Sequence, residues 1–119
     1  MAKLDLTPLS QIDGFVGAAL VDSDSGMALA KLGGGGVDLD LAASGNAEVV
    51  KAKRRVAGSL KLNDGIEDIL ITLGKQYHLL RPLERNEKLF LYVVLDRVKS
   101  NLALSRHELK SFEQSLDFN

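Results

Sequence analysis

The spacing of apolar residues predicts a short helix at the start of the chain. Apolar side chains recur about every three positions from Leu6 to Ile12, which is typical of a helical turn. Thr7 supplies a hydroxyl that caps such a turn, and Pro8 suits the first helical position. Gly14 marks the end of the segment. We therefore expect a brief helix before the first strand.

Two apolar runs and a glycine-rich segment follow this helix. Residues 15–21 and 27–32 are the runs, and turn-forming residues fill positions 22–26 between them. This pattern predicts a β-hairpin. Four consecutive glycines at 33–36 favour neither regular element, so we expect a flexible loop there.

A long helix is predicted next, beginning at a cap formed by Asp38 or Asp40 and ending near Leu60. Small and β-branched residues recur along it at intervals of seven. They form two series, Ala42, Val49 and Val56, and Ala43, Val50 and Ala57. Such a narrow stripe favours a helix–helix seam over a wide core face.

Three strands and a final helix complete the pattern. The strands are predicted over residues 66–73, 76–80 and 89–95, and Pro82 ends the second. The third strand is apolar on both faces, so we expect it to be central and covered on both sides. An amphipathic helix over 102–116 follows, capped by Ser100 or Asn101. The element order predicts an α+β sandwich of three layers.

Composition narrows the class of protein. The chain has 119 residues, a formal net charge of −1 and no cysteine. One domain over residues 1–119 fits this length, and the charge balance argues against nucleic-acid binding. The lack of cysteine excludes disulfides and thiolate metal sites. No leader and no apolar stretch long enough to span a bilayer is visible, so we expect a cytoplasmic protein without membrane insertion.

None of the candidate catalytic or ligand-binding motifs matches the residue pattern that its chemistry requires. The four glycines lack the Lys-Ser/Thr ending of a phosphate-binding loop, and acidic Asp38 and Asp40 follow them. Residues 22–26 resemble the opening of a calcium loop, but Met27 stands where that loop needs glycine. His78 alternates with its neighbours in a strand, and His107 lies beside Glu108 on the last helix, where a lone histidine next to a glutamate is more often a surface residue than a general base. The sequence therefore predicts neither an enzyme nor a cofactor site.

The middle of the long helix is basic, with Lys51, Lys53, Arg54 and Arg55 close together. Two interpretations remain open: a solvated helix face, or a surface that binds a protein partner. Nucleic acid is disfavoured because no aromatic residues for base stacking lie nearby.

Two segments resemble the Roadblock family, which is named after a dynein light chain. LSQIDGFVGAALVDSDSG (residues 9–26) is similar to the opening of Roadblock proteins, and NLALSRHEL (residues 101–109) to the last helix of bacterial members. The element order agrees over essentially the whole chain. The four glycines and the small residues around Gly45 depart from the family pattern.

The resemblance implies a profilin-like, three-layer fold. It has a five-stranded antiparallel sheet with the long helix on one face and the two terminal helices on the other. It also implies a dimer in which the strand after the long helix pairs with its copy and the long helices lie antiparallel. Family members regulate small Ras-like GTPases or act as adaptors. A branch with GTPase-activating function supplies no arginine finger, so no catalytic residue carries over to this chain.

We therefore expect a non-enzymatic homodimer that regulates a small Ras-like GTPase or serves as its platform. The alternative is a structural adaptor without a GTPase partner, and a small-ligand sensor is a third possibility. The predicted dimer interface comprises Ala42, Val49, Val56, Leu60, Ile66, Asp68, Leu70 and Thr72. The predicted partner-binding residues are Lys51, Arg54 and Arg55. No cofactor is expected.

Overall fold

Five antiparallel strands form one sheet in the computed structural model, which describes residues 5–116. The strands are β1 (Phe15–Asp22), β2 (Ala28–Gly33), β3 (Ile69–Thr72), β4 (Gln76–Pro82) and β5 (Leu89–Asp96). The helices are a short 3₁₀ helix (Thr7–Gln11), α1 (Leu39–Ser59) and α2 (Leu102–Ser115). The predicted element order is confirmed over this range. Residues 1–4, on which the expectation about a leader rests, lie outside it, as do residues 117–119.

The central strand is β5, in the sheet order β2-β1-β5-β4-β3. It pairs with β1 on one side and with β4 on the other. Its side chains alternate between two core clusters: Leu91 and Val93 belong to one, and Phe90 and Tyr92 to the other. The predicted two-faced character of this strand is confirmed. The core therefore lies in two layers, one on each face of the sheet.

One layer is closed by α1. The Asp38 carboxylate accepts the backbone N–H of Leu41 at 3.1 Å, which confirms Asp38 as one of the two predicted caps. The fully covered face of α1 consists of Leu39, Ala43, Ala47 and Val50. The buried stripe thus includes Ala43 and Val50 of the second predicted series, whereas Ala57 is half-buried. In the first series, Ala42 and Val49 pack only in part against this layer, and Val56 is 47% exposed.

The other layer is closed by the 3₁₀ helix and α2, as predicted. Leu9, Leu109 and Phe112 pack into its core. The Asn101 side chain caps α2 by accepting the N–H of Leu104 at 3.1 Å. The predicted cap at Thr7 is wrong, because the residue before the 3₁₀ helix is Leu6, and Oδ1 of Asp5 accepts the Thr7 N–H at 2.9 Å.

The glycine run has a packing role that its composition alone does not show. Gly33 is the last residue of β2, so the loop begins one residue later than expected. A Cβ added at Gly17 in β1 would lie 2.6 Å from the Cα of Gly34. Gly34 also has a φ of 125°, which other residues rarely adopt. The two backbones approach closely here because neither residue has a side chain.

The edge strand β3 is shorter than predicted. It pairs with β4 only over Ile69–Thr72, so Ile66 and Asp68 lie before the strand rather than in it. The Asp68 carboxylate instead accepts two hydrogen bonds from the Arg106 guanidinium of α2, at 3.0 and 3.3 Å. This pair ties the chain to α2 immediately before β3 begins.

Candidate interaction interface

The outer edge of β3 is open. Within the described residues β3 is hydrogen-bonded to β4 alone, so one row of its backbone N–H and carbonyl groups has no strand partner. Ile69 and Ile71 pack in part against the α1 layer, and Leu70 packs in part against the opposite layer. A half-covered apolar edge of this kind is suited to pairing with another chain.

An apolar, mostly uncharged face of α1 lies outside the buried stripe. Val56 is 47% exposed and Leu60 62% exposed. A helix advances about 100° per residue, so Gly45 and Ala52 lie on the same outward side as Val56. Lys53, about 60° round the helix from Val56, lines a cavity together with Ile69 of β3, so this side of α1 is the one towards β3. We call Ala42, Gly45, Val49, Ala52, Val56 and Leu60 the seam face.

A shallow cavity of about 560 Å³ lies between α1 and the start of the edge strand. It is lined by Lys53 of α1, by Ile69, and by the Asp68–Arg106 ion pair. The Arg106 side chain is 42% exposed and that of Asp68 18%. The pair therefore places a polar border beside the open edge.

The predicted basic cluster is only partly free. The Lys51 ammonium group donates to the carbonyl oxygen of Asp24 at 3.0 Å. The Arg54 guanidinium donates to the carbonyl oxygen of Glu87 at 2.7 Å. Arg55 is exposed. Of the three predicted partner-binding residues, Lys51 and Arg54 therefore tie α1 to neighbouring loops, and Arg55 is the exposed one.

A histidine lies on the α1 face of the sheet, one strand in from the open edge. His78 is the register partner of Ile71, and its ring meets that of Tyr92 edge-on at 5.4 Å. Nδ1 lies 3.0 Å from the Tyr92 hydroxyl, and Nε2 lies 3.0 Å from Oε1 of Gln76. A neutral imidazole fits both contacts, with Nε2–H donating to Gln76 and Nδ1 accepting from Tyr92. Burial lowers the pKa of His78 and raises that of Tyr92.

This environment predicts a loss of stability in mild acid. Because the folded pKa of His78 lies below its ordinary value of 6.5, the unfolded chain binds a proton that the folded chain does not. The free energy of unfolding should be unaffected by His78 above this value and should fall as pH decreases through it. Urea unfolding at pH 7.5 and 5.5 measures the loss, which should be smaller in His78→Gln. An equal loss in both proteins would contradict this account of His78.

Comparison with known proteins decides the fold. No protein-family model matches the chain, and no curated protein matches it significantly. Solved structures do match. A Roadblock/LC7 domain from Streptomyces avermitilis superposes with a TM-score of 0.80 at 14% identity, over 92% of this chain and 88% of that one. The chain has the Roadblock/LC7 fold.

Two further structures carry this fold. MglB from Myxococcus xanthus matches with a TM-score of 0.77 at 20% identity, over 90% of this chain and 84% of that one. An MglB with a tetrameric arrangement matches with a TM-score of 0.74 at 20% identity, over 92% and 80%. The resemblance inferred from residues 9–26 and 101–109 is thus confirmed as a likeness of fold.

In the hairpin of this Roadblock/LC7 fold, the carboxylate of Asp22 accepts backbone N–H groups of the turn. Oδ1 of Asp22 accepts the N–H groups of Asp24 and Ser25, at 2.9 and 3.3 Å, which closes the turn between β1 and β2. The predicted hairpin is confirmed.

Among the residues that the structure describes, no group of three or more histidine and carboxylate side chains could hold a metal ion. None of the helices within 5–116 combines the length and apolarity that crossing a bilayer requires.

Sequence reasoning missed two ion pairs that join α2 to the rest of the fold. Besides Asp68–Arg106, Nε of Arg81 in β4 donates to Oε1 of Glu113 in α2 at 2.8 Å, and both side chains are almost fully buried. The one sequence signal is that Arg81 interrupts an apolar strand. Its partner is 32 positions away, so nothing local pairs the two.

Proposed function

We propose that this protein is a non-enzymatic, cytoplasmic homodimer that regulates a small Ras-like GTPase or acts as its platform. The observation that carries the proposal is the open edge of β3 beside the exposed apolar seam face of α1. The Roadblock/LC7 fold and the resemblance of the two segments add the GTPase partner, because small Ras-like GTPases are the partners that the resemblance implies.

In the proposed dimer, the β3 strands of two copies pair in antiparallel fashion. The sheet then continues from one copy to the next, and the two α1 helices lie side by side along their seam faces. A closed two-fold interface covers both open edges at once. The proposed interface residues are Ala42, Val49, Val56, Leu60, Leu70 and Thr72, with Ile66 and Asp68 at its border. Self-association of an MglB with a tetrameric arrangement supports this in a protein of the same fold.

The dimer should be stable at micromolar concentration. A specific interface buries roughly 800 Å² per partner, and the edge strand and seam face together offer an apolar surface of suitable shape. Light scattering should report twice the protomer mass of 12.9 kDa. A mass of one protomer at every concentration tested would contradict the homodimer.

The basic middle of α1 is the proposed contact surface for the GTPase. Lys53 and Arg55 are its exposed cations, while Lys51 and Arg54 border it and are held by hydrogen bonds to neighbouring loops. When two α1 helices lie antiparallel, residues near the helix middle lie close to the two-fold axis. Both copies of Arg55 then flank one helix pair. Positive charge placed in this way speeds encounter with an acidic partner and fixes its orientation.

Reversing the charge of Arg55 should weaken binding to the GTPase without affecting the fold. We expect Arg55→Glu to remain dimeric with a nearly unchanged melting temperature, because exposed charges contribute little to stability. Affinity for a small Ras-like GTPase of the same organism that binds the wild type should drop at least tenfold, and the wild-type affinity should fall as salt increases. Calorimetric titration with the GTPase loaded with GDP or with a non-hydrolysable GTP analogue measures both effects.

Lys110→Glu is the matched control, since Lys110 is an exposed cation on α2. Its GTPase affinity should equal that of the wild type. Equal binding by Arg55→Glu would place the contact surface elsewhere. A stable dimer that binds no such GTPase in either nucleotide state would favour the adaptor function instead.

A further inference from the structure

The turn that follows β5 presents an unusual apolar residue. Val98 is 93% exposed, the highest value among the large hydrophobic residues of the described chain. Arg97 and Lys99 on either side of it are also exposed. Val98, which lies between these two cations, is therefore not part of the core, the seam face or the β3 edge.

Several hydrogen bonds hold this turn in one conformation. Oδ1 of Asp96 accepts the N–H groups of Val98 and Lys99, at 2.9 and 3.2 Å. The N–H of Ser100 donates to the carbonyl oxygen of Asp96 at 3.1 Å. The turn is therefore preorganised, which reduces the entropy lost when it binds.

A third cation adjoins the same turn. The N–H of Arg97 donates to the carbonyl oxygen of Lys75 at 3.1 Å, so the β3–β4 turn lies against it. The Asp96 carboxylate is occupied by backbone N–H groups. The surface formed by Lys75, Arg97, Val98 and Lys99, which we call the head, is therefore apolar at its tip and positive around it.

A cavity of complementary character lies at the opposite end of the sheet. It has a volume of about 640 Å³ and includes Ala57, Ile66 and Leu83 among its apolar lining. Its charged lining groups are Asp64, Glu84, Glu87 and Arg54. Three carboxylates thus line the cavity beside one cation, and one of them, that of Glu84, also lies 3.8 Å from the buried Arg81 guanidinium. We call this cavity the tail.

The head and the tail of one copy cannot meet. The head follows the last residue of β5, whereas the tail lies beside the connection that leads into the first residue of β5. The two surfaces are thus separated by the length of the central strand. A second copy of this chain offers both the apolar cavity and the opposite charge that the head requires.

We propose that copies of this protein associate head to tail, with the turn carrying Val98 seated in the tail cavity of the next copy. The contact joins two different surfaces, so in a pair of copies one keeps a free tail and the other keeps a free head. Repetition produces a ring or an open filament, depending on the rotation between copies. The charge pairs set the orientation and make the contact sensitive to salt.

This contact uses a different surface from the proposed dimer, except that Ile66 lines the tail and also borders the dimer interface. Within the tail, α1 contributes Arg54, Ala57 and Gly58, which lie on other sides of the helix than Val56. A dimer joined through β3 therefore leaves its heads and tails available. Head-to-tail association would then link dimers rather than single chains.

A charge exchange between two variants tests the proposal. The head variant carries Lys75→Glu and Lys99→Glu, and the tail variant carries Asp64→Lys and Glu87→Lys. The weight-average mass of the wild type in sedimentation velocity should increase as the protein is concentrated at low salt and should decrease again with added salt. Each variant alone should lose this increase, because like charges meet at the contact. An equimolar mixture should regain it, since every head then meets a tail of opposite charge.

Two controls complete the experiment. Val98→Ser should reduce association without a change in charge, and Lys110→Glu, outside both surfaces, should associate as the wild type does. Association of the separate variants equal to that of the wild type would overturn the proposal. So would a mixture that stays dissociated, or a wild-type mass that does not change with concentration. The β3 dimer should persist in every variant, so its own failure would appear separately as a protomer mass at low concentration.

Discussion

Glu113→Ala should lower the free energy of unfolding by about 3–5 kcal/mol, because it leaves the buried Arg81 guanidinium with only the exposed Glu84 carboxylate, 3.8 Å away. Oε1 of Glu113 accepts Nε of Arg81 at 2.8 Å, and the two side chains are only 4% and 3% exposed. Oε2 of Glu113 also accepts the N–H of Glu84 at 2.7 Å. The substitution therefore removes hydrogen bonds that fasten α2 to the end of β4. Urea unfolding followed by circular dichroism measures the change.

The exposed ion pair between Lys31 and Asp40 provides the control. Its N–O distance is also 2.8 Å, but the side chains are 47% and 68% exposed. Asp40→Ala should cost no more than about 1 kcal/mol, because solvent screens an exposed pair. If Glu113→Ala cost as little as Asp40→Ala, the buried pair would not hold α2 in place.

Val56→Asp should dissociate the dimer and leave the protomer folded. Val56 is 47% exposed within one copy, so an aspartate there remains in contact with water until the seam faces meet. In the dimer it would bury an unpaired charge twice, once in each copy. We expect the dissociation constant to increase at least about 100-fold, which corresponds to roughly 2.7 kcal/mol. Sedimentation equilibrium measures this constant, and circular dichroism checks the fold.

Leu104→Asp is the matched control for this substitution. Leu104 on α2 is 44% exposed, almost the same fraction as Val56, but it lies on the opposite face of the sheet. The variant should therefore remain dimeric. If Val56→Asp also remained dimeric with an unchanged dissociation constant, α1 would not take part in self-association.

The sequence predicts those parts of the fold that depend on local periodicity. The two-faced pattern of β5 correctly indicates a central strand with a core on either side. Asp38 and Asn101 are recognisable as caps, because a capping side chain acts on N–H groups only a few positions away. The glycine run is recognisable as a break, although the contact between Gly17 and Gly34 depends on tertiary structure.

The parts that failed depend on contacts between distant residues. Periodicity at intervals of seven finds two sides of α1 but does not tell which one faces the sheet. The structure turns Ala43 and Val50 towards the sheet and leaves Val56 exposed within one copy. The apolar pattern of residues 66–73 overestimates β3, because Asp68 is bound by Arg106 from α2. Likewise, Lys51 and Arg54 look like free cations until the neighbouring loops supply acceptors.

The distance between two copies of one labelled residue tests the β3-edge dimer most directly. The chain has no cysteine, so Thr72→Cys and, separately, Leu29→Cys each introduce a single site for a spin label on one of the two edge strands. Strands lie about 4.8 Å apart, so joining two copies at β3 puts the two β2 strands nine spacings, or about 43 Å, apart. We predict an inter-label distance below about 25 Å at Thr72, where the strands adjoin, and a distance near that longer value at Leu29. A short distance at Leu29 with a long one at Thr72, or no dipolar coupling at either site, would contradict the pairing of β3.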